Sequence, residues 1–67
     1  MDYVKLGKRV RYIRHCQDIT QEQLADKTGI STSFVGHIER GTRVLSVETL
    51  YRLCLALGVS ADWLMGI

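Results

Sequence analysis

The sequence predicts an all-α domain of five short helices, and three observations carry that reading. Apolar residues recur every three or four positions, as along one face of a helix, and nowhere alternate as in a half-buried strand. Proline is absent and the six glycines are isolated. Thr20, Ser31, Ser46 and Ser60 each stand just before a helical run, where a hydroxyl can cap it, and Gly29 and Gly58 stand where runs stop. At 67 residues the chain makes one domain, close to the lower size limit for folding without metal or disulfides.

The first helix is expected from about Asp2 to Gln17, with Tyr3, Leu6, Val10 and Ile13 as its buried stripe. Lys5, Lys8, Arg11 and His15 lie opposite, and Arg9 and Arg14 flank the stripe. Asp18, in the turn that follows, is one of the residues that tolerate a left-handed backbone.

Thr20 and Gln23 form a capping box for the second helix, each satisfying a backbone donor of the other's residue. Ile19 outside and Leu24 inside can staple the entry. Gly29 ends this helix, because glycine reaches the left-handed conformation without steric cost and Ser31 begins another helix two residues on. Laid out at about 100° per residue, the third helix puts Ser31, Phe34, Val35, Ile38 and Glu39 on the core side. Thr32, Ser33, Gly36, His37 and Arg40 fall on the free side, which carries no long apolar residue.

After the loop Thr42 to Leu45, Ser46 caps a fourth helix with Leu50, Leu53, Cys54 and Leu57 at core spacing. Ser60 caps a short last helix, across which Val59 can staple to Leu64. Trp63 is expected to close the core, since a small domain needs every large apolar residue.

Net charge is +2, unevenly placed. Residues 2 to 18 hold five basic and two acidic side chains, residues 20 to 43 hold three of each, and the remainder holds one basic and two acidic. Cys16 and Cys54 have no metal-ligand spacing and read as small, reduced hydrophobic residues. His15, beside Cys16, points about 100° away from it. No phosphate-cradling glycine loop, carboxylate pair or nucleophile with a nearby base can be assembled, so an enzyme is not expected, nor any cofactor or metal. No run approaches the roughly 18 apolar residues of a membrane span and no apolar signal core opens the chain, so a cytoplasmic location is expected.

The spacing of Gln21, Leu24, Ala25, Gly29, Ile30, Val35 and Ile38 within Thr20 to Gly41 resembles the helix-turn-helix of the phage repressor and Cro family, the xenobiotic-response-element type of bacterial regulator. The similarity runs from Leu6 to Leu64 and includes LGVSADWL at Leu57 to Leu64. Asp18, where members often have glycine, and the loop holding Arg43 depart from the pattern. The resemblance implies a lambda repressor-like bundle over residues 1–67 that binds duplex DNA, most simply a repressor. Helix 31–40 would enter the major groove with its N-terminal residues at base edges. Gln21 would contact a phosphate, and Thr32, Ser33 and His37 would face base edges or phosphates. Arg14 and Glu39 match positions that form an ion pair in the family.

The chemistry of the remaining residues leaves choices open. Arg40 and Arg43 suit phosphate or a solvated helix end. Gly36 either lets the backbone approach DNA or is a tolerated mid-helix glycine costing about 1 kcal/mol. No small-molecule ligand is implied. A single recognition helix covers few base pairs, so a homodimer on a palindromic operator is expected, with a small self-contact through Trp63 to Ile67 or Thr42 to Leu45. The rival reading is a protein-interaction module of the same fold, such as an anti-repressor or antitoxin component. Salt separates the two, because phosphate contacts weaken steeply as salt rises.

Overall fold

A computed structural model describes Met1–Ile67. It contains five helices: α1 (Tyr3–Cys16), α2 (Gln21–Thr28), α3 (Thr32–Arg40), α4 (Val47–Leu57) and α5 (Ala61–Met65). Each begins where a side chain takes up a backbone donor that the first turn leaves unpaired. Thr20 Oγ1 accepts from the Gln23 N–H at 3.0 Å, and the Thr20 N–H donates back to Gln23 Oε1 at 2.8 Å. Ser31, Ser46 and Ser60 accept from Phe34, Thr49 and Trp63 in the same way. Asp2 caps α1 from outside the helix, accepting from the Lys5 N–H at 3.0 Å. The turn residues also behave as their chemistry dictates, with Gly29 at φ 72° and Asp18 at φ 56°.

Nine buried apolar residues form one core: Leu6, Val10, Leu24, Ala25, Val35, Ile38, Leu53, Leu57 and Leu64. Burying a Leu, Ile or Val side chain is worth about 1.5–3 kcal/mol, so every helix is held by at least one such anchor. Ile19 and Val59, the two outer staple residues, pack onto this core. Helix α3 lies against both α1 and α2, and α5 lies against α1 and α4. The approach of α1 to α3 depends on Gly7, which is buried between them. A Cβ there would meet the Ile38 carbonyl oxygen and would stand 2.8 Å from that of Glu39.

Four sequence expectations need correction. Tyr3 and Ile13 are half-buried, so the deep part of the α1 stripe is Leu6, Gly7 and Val10, with the Arg14 side chain continuing it. Trp63 packs onto the core but only half-buried, and Leu64 is the residue of α5 that is fully buried in it. Adjacent residues on α5 point about 100° apart, and α5 turns Leu64 inward while the Trp63 ring rests half-covered against Arg9, whose guanidinium carbon is 5.1 Å from the ring centroid. Cys16 is exposed at the end of α1 and is not a core residue, whereas Cys54 is half-buried and its thiol is pushed up by that burial. Ser31, placed on the core side by the helical wheel, is exposed because its oxygen serves as the cap. No helix is long and apolar enough to cross a membrane.

Candidate nucleic-acid interface

Val35, Ile38 and Glu39 fix α3 to the rest of the molecule, and all three are buried. The rotation this imposes leaves Thr32, Ser33 and Arg40 exposed and His37 half-exposed. Glycine at φ 72° in the turn lets α2 and α3 pack directly on each other through Leu24, Ala25 and Val35. The first turn of α3 therefore projects with small hydroxyl side chains and with backbone donors that its own helix does not fill.

Below that surface lies a polar cluster centred on Glu39. Arg14 Nε donates to Glu39 Oε2 at 2.6 Å and Arg14 Nη2 to Oε1 at 3.1 Å, a two-pronged pair whose side chains are only 8% and 3% exposed. Arg14 Nη1 also donates to the Ile19 carbonyl at 2.8 Å, which ties α1 to the entry of α2. Gln21 Nε2 donates to Glu39 Oε1 at 3.1 Å. Burial pushes the Glu39 carboxyl up. Hydrogen bonds from Arg14 and Gln21, with the charges of Arg14 and Arg11, outweigh it and hold the carboxyl below the usual range. The Arg14–Glu39 pair that the resemblance implies is joined by these hydrogen bonds, and Gln21 is a third member with no sequence signal of its own.

The other candidates separate. Gln21 is half-buried at the start of α2, with one amide hydrogen committed to Glu39 and a second remaining. Gly36 lies on the free side but is covered there by Arg40. It is buried, and a Cβ on it would stand 3.1 Å from Arg40 Nη1, so its bare α-carbon makes room for the Arg40 side chain folded back along α3. Arg43 is exposed in the loop. His37 is held from behind: its Nδ1 lies 2.8 Å from Thr42 Oγ1. In the sequence Thr42 reads as part of a connecting loop and a candidate self-contact, without a link to His37. The signal for it was in the sequence, because a helix ending at glycine folds the residue after the glycine back onto the one four positions before it.

Two short helices in this relation, the second fixed from behind and exposed at its N-terminal end, define a helix-turn-helix scaffold. The helix-turn-helix family profile matches residues 10–64. YazB, an uncharacterised HTH-type transcriptional regulator of Bacillus subtilis, is 41% identical over 56 residues, 84% of this chain and 81% of that protein. The crystal structure of the restriction-modification controller protein C.AhdI from Aeromonas hydrophila superposes with a TM-score of 0.89 at 38% identity, covering 94% of this chain and 96% of that one. The P22 c2 repressor protein in complex with synthetic operator 9T superposes with a TM-score of 0.84 at 32% identity, covering 88% and 89%. The chain belongs to the helix-turn-helix family of the Cro/C1 type, a family of DNA-binding transcriptional regulators.

Proposed function

We propose that the protein is a repressor that binds a palindromic operator in duplex DNA as a two-fold dimer, with α3 in the major groove. One observation carries this. Helix α3 is locked on one side by Val35, Ile38 and the Glu39 cluster, while Thr32, Ser33, His37 and Arg40 line the other with no large apolar side chain exposed among them. Such a face suits base edges and phosphates better than a protein groove. In this reading Thr32, Ser33 and His37 meet base edges. The remaining amide hydrogen of Gln21 meets a phosphate, and Arg40 and Arg43 give further phosphate contacts. The operator complex of the P22 c2 repressor supports the same choice of ligand. A repressor of this kind works where the chromosome is, in the cytoplasm.

Selection of binding sites from random duplex DNA tests the proposal. The wild-type chain should enrich an inverted repeat with half-sites about 34 Å apart along the duplex. Recovery of unenriched DNA at low salt would overturn it.

A further inference from the structure

The end of α3 fixes a detail of His37 that bears on which base it can read. The Gly41 N–H donates to the Ile38 carbonyl at 3.1 Å and the Thr42 N–H to the His37 carbonyl at 3.0 Å. This closure lays Thr42 over the last turn of the helix. Its hydroxyl then meets two atoms of His37, the carbonyl oxygen at 3.3 Å and the ring Nδ1 at 2.8 Å.

A hydroxyl has one proton to give and lone pairs to receive with, and a carbonyl oxygen can only receive. Only one arrangement makes both contacts hydrogen bonds, and in it Thr42 donates to the His37 carbonyl. In that arrangement the hydroxyl meets Nδ1 by accepting, which requires the ring proton on Nδ1. A neutral imidazole protonated at Nδ1 has a bare lone pair at Nε2, because the hydrogen bond made by one ring nitrogen sets the role of the other.

We propose that Thr42 holds His37 in the Nδ1–H tautomer, so that Nε2 faces the major groove as an acceptor and selects an exocyclic amine, adenine N6 or cytosine N4. The proposal rests on the reading of α3 as the base-reading helix. Guanine offers O6 and N7 in the major groove and thymine O4, all acceptors, which an unprotonated Nε2 would repel. The hydroxyls of Thr32 and Ser33 can donate or accept and discriminate little by themselves. His37 has one sign only while Thr42 keeps it, which makes Thr42 a positioning residue that need not touch DNA.

The test combines side-chain 15N NMR with site selection on the wild type, Thr42→Ser, Thr42→Val and His37→Ala. The spectra are taken at about pH 8, where histidine side chains are ordinarily neutral. The His37→Ala spectrum separates His37 from His15. Wild type and Thr42→Ser should carry the proton on Nδ1. Thr42→Val, which lacks the hydroxyl, should move it toward Nε2. At one operator position the preference should shift from adenine or cytosine toward guanine or thymine by about tenfold or more. A wild-type proton on Nε2, or the same tautomer mixture in Thr42→Val, overturns the proposal. If the tautomers behave as expected but His37→Ala leaves the selected motif unchanged, its specificity half is overturned. If the wild type selects no motif, the parent reading of α3 has failed as well.

Discussion

At the scale of single residues, Glu39 connects folding to the binding surface. Its carboxylate receives Arg14 from α1 and Gln21 from α2 while standing on α3, so one side chain sets the mutual position of three helices. Taking an ion pair out of water is expensive, and removing one partner leaves the other charge buried and uncompensated, at a typical cost of about 3–5 kcal/mol. Glu39→Ala should therefore lose a large part of the stability of so small a domain, and thermal melts will show it. The pH dependence has a definite sign. The folded carboxyl is held below its usual range. Its contribution is therefore complete above the ordinary glutamate value of about 4.3 and is lost as pH falls through the folded value. The gap in Tm between the wild type and Glu39→Gln should be wide at neutral pH and should narrow as pH falls below the ordinary glutamate range. On the free side of the same helix, His37→Ala should relax preference at a single operator position by about 1–3 kcal/mol and leave the melting temperature almost unchanged. Competition binding with single-base operator variants measures this.

At the scale of helices, the caps are local chemistry, and that is why they were legible. Thr20, Ser31, Ser46 and Ser60 each receive the backbone N–H three residues on, as their positions before apolar runs implied. Ser31→Ala should cost about 1 kcal/mol, since the first turn of α3 loses a side-chain acceptor, and the melting temperature should drop accordingly. What the sequence did not show are the facts decided by a neighbouring helix. Gly7 has no local signature, yet a Cβ there would press into the backbone of α3, so Gly7→Ala should be far more damaging than an alanine in the middle of a helix ordinarily is. That Leu64 goes deeper than Trp63 turned on a 100° rotation of a five-residue helix, too short to show a pattern. Gly36 looked free because a wheel assigns directions but cannot see Arg40 folding back over it. The Arg14–Glu39 pair was legible only through the family resemblance, because two charges 25 residues apart in sequence have no spacing rule to join them.

At the scale of the whole molecule, the proposed complex has each copy present one short helix to the groove, and a second copy would read the other half-site. The apolar surface left uncovered indicates where two copies would meet. Val47, Tyr51 and Leu55 are 84%, 62% and 64% exposed and stand four residues apart along α4, with Leu50, Cys54 and Ala61 lining a shallow apolar depression beside them. This stripe is longer than the loop or chain-end segments that sequence alone suggested for the contact, although Val44 and Ile67 are also exposed. A two-fold contact uses the same patch on both subunits, so a charge placed within it meets its own copy and is repelled. Leu55→Glu should therefore weaken binding to a palindromic operator while leaving affinity for an isolated half-site unchanged, because the α3 surface is untouched. The wild type should bind the full site cooperatively, with two chains per duplex. Equal affinity of the wild type for full and half sites, or one chain bound per palindrome, would rule the dimer out, and titrations on the two duplexes with mass measured on the complexes decide it.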